Sequence, residues 1–280
     1  MIIAQISDTH IAGWGKKTYG IAPMVENLSQ CIAHINQLNP EPDVVVVTGD
    51  ITSSGTVEEF EQAASLLNKL NAPCYAIPGN HDNKANFLSA FAGVTCFSTN
   101  LGNDPQQEFI NYVINDYDLR LIAMDSTIIN KAGGEICAMR ASWLNDRLAE
   151  DRQKPTIIFM HHPPLKLSVR ETDCDGFIGT DRLGKIIEKY ANIERILCGH
   201  VHLPTFSRWH GTIVSTAPSM GMRLVLDLKM EQPSQFVLEE PAYQLHHWTA
   251  ENNLITHSIS VKTINKNYRF ESYANEDRQG

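Results

Sequence analysis

"DVVVVTGD", residues 43–50, decides the fold. Its β-branched residues follow one another with no polar face between them, so the run reads as a strand buried on both sides. It stops at Gly49-Asp50, where a glycine lets the backbone turn ahead of a carboxylate. Upstream, Val25, Leu28, Ile32, Ile35 and Leu38 recur at helical spacing, and "IIAQIS" (2–7) before them is strand-like. Downstream, Thr56 and Glu59 have the spacing of a capping box. Phe60, Ala63, Ala64, Leu67 and Leu70 would form the apolar face of the helix it opens, and "CYAIP" (74–78) a third strand. The result is a βαβαβ unit, for which parallel strands and right-handed crossovers are the rule.

The period then changes. "EFINYVI" (108–114) and "LRLIAMD" (119–125) flank "NDYD" as an antiparallel hairpin. Helices around 142–148 and 183–190 precede the strands "TIIFM" (156–160) and "RILC" (195–198). Beyond residue 205 the chain is mainly β: "TFSRW", "TIVST", "MRLVLD", "AYQLHHW" and "LITHSIS". These are too many strands for one small sheet. The expected fold class is α/β, a four-layer αββα sandwich of two mixed β-sheets flanked by helices. Residues 1–262 are expected to form one catalytic domain, with 205–245 as an active-site rim or oligomer contact. Residues 263–280 read as a polar tail.

Composition narrows the partners. The net charge is −9, which argues against a duplex nucleic-acid binder, since that needs a basic face. No apolar run reaches the length of a membrane span. "MIIAQISDTH" has no basic leader and reads as a first strand. The six cysteines show no CxxC pair, so a reducing cytoplasm is the expected location.

One coincidence repeats five times. "IIAQIS" runs into Asp8 and His10, "VVVVT" into Gly49-Asp50, and "CYAIP" into Gly79-Asn80-His81. "TIIFM" runs into His161-His162, and "RILC" into Gly199-His200 with His202. Ligand sites of open α/β sheets lie outside the carboxyl ends of the strands. A lone histidine there is usually a packed one, but five such ends together point to a shared metal site. In DxH and HxH, residues two apart share a face of an extended chain. Carboxylate, imidazole and amide oxygen without thiolate suit Mn, Fe, Zn or Co. The donors outnumber the needs of one tetrahedral ion, whereas two divalent metal ions about 3.5–4 Å apart would use them all.

Asp8-Thr9-His10, Gly49-Asp50, Gly79-Asn80-His81-Asp82, His161-His162 and Gly199-His200-Val201-His202 together resemble the signature of the calcineurin-like metallophosphoesterases. The remainder, including Tyr19-Gly20 and "HHPP" (161–164), is similar to the bacterial branch of class III cyclic nucleotide phosphodiesterases and glycerophosphodiesterases. The resemblance implies that Asp8, His10, Asp50 and His202 hold one metal. It implies that Asp50, Asn80, His161 and His200 hold the other, with Asp50 bridging. His81 would be the catalytic histidine that is not a ligand. It also implies a homo-oligomer.

The expected function is a dinuclear metal-dependent phosphodiesterase acting on small soluble diesters, a 3′,5′-cyclic nucleotide such as cAMP or a glycerophosphodiester. Metal-activated hydroxide would attack phosphorus in line, and His81 would protonate the leaving oxygen or hold a phosphoryl oxygen. A neutral Asn80, where an aspartate would cancel positive charge, keeps the site attractive to a monoanionic diester. Tyr19, Asn80 and His81 are the candidate substrate-binding residues. A phosphomonoesterase on the same metal core is the alternative, followed by a non-catalytic scaffold or a nucleotide sensor. His162 is expected to support ligands or anchor a loop, and Asp82 to orient His81 or cap a helix. "ETDCDG" (171–176) is either a pocket rim or a solvated loop. His210, His246, His247 and His257 read as structural, and His34 carries no role.

Overall fold

The computed structural model describes residues 1–91 and 109–261; the tail expected over 263–280 lies outside the described residues. The first unit is as the sequence dictates. Strand β1 (Ile2–Ile6), helix α1 (Met24–Ile35), β2 (Val44–Thr48), α2 (Val57–Leu67) and β3 (Cys74–Ile77) follow in order. Every residue of β2 is buried, as an unbroken β-branched run requires. Thr56 caps α2: its hydroxyl accepts from the Glu59 N–H, and the Glu59 carboxylate accepts from the Thr56 N–H. The predicted apolar face of α2 is buried in full, Phe60 and Leu67 completely. Each such side chain contributes about 1.5–3 kcal/mol on leaving water.

Helix α3 (Lys84–Phe91) follows, anchored by Phe87 and Phe91. The predicted hairpin is β4 (Tyr112–Ile114) against β5 (Arg120–Met124), antiparallel. Next come β6 (Gly134–Glu135), α4 (Ala138–Glu150), β7 (Thr156–Met160), α5 (Arg170–Asp175), β8 (Phe177–Ile178), α6 (Thr180–Ile187) and β9 (Ile193–Cys198). The β-rich end forms β10 (Thr205–Trp209), β11 (Thr212–Thr216), β12 (Met222–Leu224), β13 (Phe236–Leu238), β14 (Ala242–Trp248) and β15 (Leu254–Ser260).

These strands make two main mixed sheets. One has the order β15-β14-β1-β2-β3, with β1, β2 and β3 parallel. The other has the order β10-β11-β9-β7-β5-β4, with β5, β7, β9 and β11 parallel. Two ribbons, β12-β13 and β6-β8, stand apart from them. One hydrophobic core takes side chains from both sheets. Polar contacts cross it: Gln5 of β1 donates to the Cys198 carbonyl of β9, and the Tyr112 hydroxyl donates to the Ala76 carbonyl.

Three predictions needed adjustment. "MRLVLD" is strand only over Met222–Leu224. α5 occupies most of the segment 171–176, expected to be a rim or a solvated loop; it is a helical turn with no buried residue. α3 had not been anticipated, because only two of its residues face the core.

Candidate metal centre

All five strand ends arrive at one place. Asp8 and His10 follow β1, Asp50 follows β2, and Asn80 and His81 follow β3. His161 follows β7, and His200 and His202 follow β9. Donor atoms of Asp8, His10 and His202 lie within 4.8 Å of one another, as do those of Asp8, Asp50 and His161. The same limit holds for His161, His162 and His200, and for His10, Asp50 and His81. The Asp50 carboxylate stands between the groups, with Oδ2 at 3.3 Å from His161 Nε2 and 3.7 Å from His10 Nε2. Asn80 Oδ1 is 3.1 Å from His161 Nε2, and His202 Nε2 is 3.5 Å from Asp8 Oδ1.

The backbone is bent to make this possible. Asp8, His10, Asp50, His200 and His202 all have positive φ, between 40° and 71°. Each is a conformation that side-chain-bearing residues adopt at a cost of about 1–3 kcal/mol. Their concentration on the strand ends is therefore a property of the site. Two glycines supply room. A Cβ on Gly79 would lie 2.1 Å from Asp50 Oδ1, and one on Gly199 would lie 2.1 Å from Ser7 Oγ and 2.9 Å from Asp8 Oδ2.

Carbonyl groups aim the rings. His161 Nδ1 donates to the Thr48 carbonyl at 2.7 Å, and His202 Nδ1 to the Met222 carbonyl at 3.0 Å. A carbonyl only accepts, so these nitrogens carry the proton and Nε2 faces the cluster. This is the outer support that metal-binding imidazoles use. His81 Nδ1 donates to the Ser53 carbonyl at 2.9 Å. His162 differs, since both of its nitrogens are occupied: Nδ1 accepts from Ser126 Oγ and Nε2 donates to the Ala132 carbonyl. It anchors the 126–132 loop, as expected.

Asp82 does neither of the tasks expected of it. Its carboxylate accepts from the backbone N–H groups of Ile51, Thr52 and Gly79 and from the Thr52 hydroxyl. It ties the two metal-facing loops together, while Asn83 caps α3. Burial and then the Asp50 charge push it up to about 6, with the donated hydrogen bonds opposing the rise.

Carboxylates and imidazoles shift one another in this cluster. Burial pushes Asp50 up, but His161 more than reverses it and holds Asp50 well below the ordinary range. Burial likewise opposes the charge on His161, and the Asp50 carboxylate lifts it to about 9. His202 is raised by Asp8 against the same burial. His10 and His200 are pushed down to about 3, chiefly by burial.

A cleft of about 260 Å³ opens onto the cluster. His10, Asp50, Asn80, His81, His200 and His202 form its floor, and Tyr19 its edge. Tyr19 is exposed, and its ring lies 5.7 Å from Phe236. Glu171, Thr172 and Asp175 of α5 line the opposite wall, which settles 171–176 as rim. Among the described residues, no lysine or arginine lines the cleft. Ala132, Leu224 and Ser234 also line the cleft; they lie on turns and short strands whose sequence carries no periodic signal. Ser126 was missed too, although it follows β5 as the site residues follow their strands. The remaining histidines are structural where they are held. His246 is buried between Gln5 and Thr256, His210 pairs with Glu188, and His34 bonds the Tyr243 hydroxyl.

Two mixed sheets that present carboxylates, imidazoles and an amide at one set of strand ends define a candidate binuclear metallohydrolase. The model of calcineurin-like phosphoesterases matches residues 1–204. The chain is 38% identical to the "Probable glycerophosphodiester phosphodiesterase GpdQ" of Arcobacter nitrofigilis, over 96% of this chain and 97% of the relative. It is 24% identical to the 3′,5′-cyclic adenosine monophosphate phosphodiesterase CpdA of Escherichia coli, over 78% and 75%. A dimetal phosphatase from Danio rerio has the same fold, with a TM-score of 0.62 at 13% identity over 94% of this chain and 99% of that one. The chain belongs to the calcineurin-like phosphoesterase family, in the bacterial branch with class III phosphodiesterases.

Proposed function

We propose that the protein hydrolyses small phosphodiesters at a dinuclear divalent-metal centre, with glycerophosphodiesters as the favoured class. The single observation that carries this reading is the convergence of Asp8, His10, Asp50, Asn80, His161, His200 and His202 at one set of strand ends, with Asp50 beside both His10 and His161. Asp8, His10, Asp50 and His202 would hold one ion, and Asp50, Asn80, His161 and His200 the other. Asp50 Oδ2 stands 3.7 Å from His10 Nε2 and 3.3 Å from His161 Nε2, which supports it as the bridge. The donors suit Mn, Fe, Zn or Co. When bound, the ions supply a water of lowered pKa and charge that clamps the phosphoryl oxygens.

The chain's own residues do the rest. Asn80 contributes an oxygen without a charge, so the floor keeps its attraction for an anionic diester. His81, its Nδ1 proton held by Ser53, turns Nε2 to the cleft, where it meets the leaving oxygen. Tyr19 and the α5 wall enclose the alcohol side of the diester. Relatives named for glycerophosphodiesters are 38% and 36% identical to this chain, against 27% and 24% for two named for cyclic nucleotides, and this ranks 3′,5′-cyclic AMP second.

The larger frame is read the same way. The shared core and the hydrogen bonds that cross it support two sheets packed face to face with helices outside, the four-layer αββα arrangement. Cys31, Cys137, Cys174 and Cys198 are free thiols, and no helix among the described residues is long and apolar enough to cross a membrane. These agree with a cytoplasmic enzyme whose β12-β13 ribbon rims the site or meets a second subunit. The test is a panel with Mn²⁺: glycerophosphoethanolamine, 3′,5′-cyclic AMP, 2′,3′-cyclic AMP and a phosphomonoester. Turnover of the glycerophosphodiester should lead. Preference for the monoester would overturn the reading.

A further inference from the structure

We propose that Glu59 is a positioning residue for His81, acting through the single peptide group between Ser53 and Ser54. The carbonyl of that peptide accepts the His81 Nδ1 proton at 2.9 Å. Its N–H, from Ser54, donates to Glu59 Oε2 at 2.9 Å. One rigid planar unit therefore stands between a carboxylate and the imidazole, touching one with each end. A carboxylate on the N–H side polarises the peptide and strengthens its carbonyl as an acceptor. The outcome matches that of a carboxylate bonded directly to a histidine: Nδ1–H stays on the carbonyl, and Nε2 is presented to the cleft with the second ring proton, the one it gives to the leaving oxygen.

The surroundings keep this peptide from rotating away. Glu59 is nearly buried, and its Oε2 also accepts from the Thr56 N–H. The Thr52 hydroxyl accepts from the Gly55 N–H, and the Gly55 carbonyl accepts from Asn86 Nδ2. Gly55 has φ of +74°, and a Cβ there would lie 2.8 Å from the Asn83 nitrogen and 2.9 Å from the His81 carbonyl oxygen. The 52–56 turn is thus pressed against the backbone that carries His81. The bland account makes Glu59 a helix cap alone. It leaves unexplained why the carboxylate reaches past the cap to Ser54.

The proposal rests on the reading of His81 as the group facing the leaving oxygen, and its test separates the two. Variants H81A, E59A, E59D and T56A are assayed with Mn²⁺ on two diesters. One has an alkoxide leaving group, glycerophosphoethanolamine or cyclic AMP according to which the wild type turns over faster. The other is bis(4-nitrophenyl) phosphate, whose leaving group needs no proton. H81A should lose turnover on the first and little on the second; absence of that split sinks the His81 reading and this proposal with it. E59A should show the same split, with kcat on the alkyl diester down by about tenfold to a hundredfold and KM unchanged. E59D, whose carboxylate is withdrawn by one methylene, should repeat it and serves if E59A is too unstable to purify. T56A removes the hydroxyl half of the same cap but leaves the Ser54 peptide held, so it should lower Tm without a split. With H81A split, equal losses on both diesters in the Glu59 variants, or a matching split in T56A, would reduce Glu59 to a cap.

Discussion

Asn80 and His81 are adjacent, and the structure gives them different work. Asn80 turns an oxygen towards His161, whereas the His81 ring is anchored to a carbonyl on its far side. His81→Ala should keep its metal and lose about 10²–10⁴-fold in turnover of an alkyl diester. Asn80→Ala should weaken metal binding by at least about tenfold, read by titration with Mn²⁺. As a proposed ligand, His161 should make metal binding sensitive to pH. Its pKa rises from the ordinary 6.5 to about 9 in the metal-free fold. Its proton therefore stabilises that fold fully below 6.5, and the contribution is lost as pH climbs through about 9. The Asp50 partner works in the opposite direction, losing its contribution as pH falls below the ordinary 3.8. Metal must displace the His161 proton. Apparent metal affinity should rise between pH 6.5 and 9, with proton release seen by calorimetry in two buffers of different ionisation heat. Affinity independent of pH over that range would contradict the coupling of His161 to Asp50. The candidate ligand residues were legible as a converging group because each follows a strand end. Asp82 was not, because its partners are backbone N–H groups, which no residue pattern announces.

Elements with strong periodicity were read correctly. β2 is an unbroken β-branched run, and α2 shows both its apolar face and its cap in the sequence. Thr56→Ala should cost about 1 kcal/mol in urea unfolding. α5 is the opposite case. It buries no side chain and is held by polar contacts: Asp173 accepts from the Leu167 and Ser168 N–H groups, Glu171 from Ser234, and Arg170 donates to Glu231. Such a turn has no hydrophobic signature to find. It is also the least costly wall of the cleft to open. Amide exchange should be faster in α5 than in α2 or α4, and occupation of the cleft by a non-hydrolysable diester should slow it. Equal protection of α5 and α2 in the free protein would show that the rim is as fixed as the core.

On the scale of the whole chain, the negative net charge and the ligand floor belong to one account. Among the described residues no lysine or arginine lines the cleft, and the proposed metals would supply the attraction for an anionic diester. Chelation should abolish turnover, and added Mn²⁺ should restore it. Saturating metal should also stabilise the fold, by about 4 kcal/mol at a thousandfold excess over Kd, which is roughly 10 °C in Tm for a chain of this size. A Tm indifferent to Mn²⁺ would place the ions elsewhere. The two-sheet division was legible from the number of strands. Their order was not, since β14 pairs with β1 across most of the chain length through register alone.

That long reach bears on how the protein is made. His10 and His202 are 192 residues apart, yet their Nε2 atoms stand 3.0 Å from each other. A chain emerging from the ribosome completes its first three parallel strands long before β9 exists, so its earliest ligands wait exposed to solvent. Only when both sheets have docked do the two halves of the floor meet. Loading with metal is therefore a late event in folding, and growth in metal-poor medium should leave a folded pool that activates on supply of the ion within the time of binding, not of refolding.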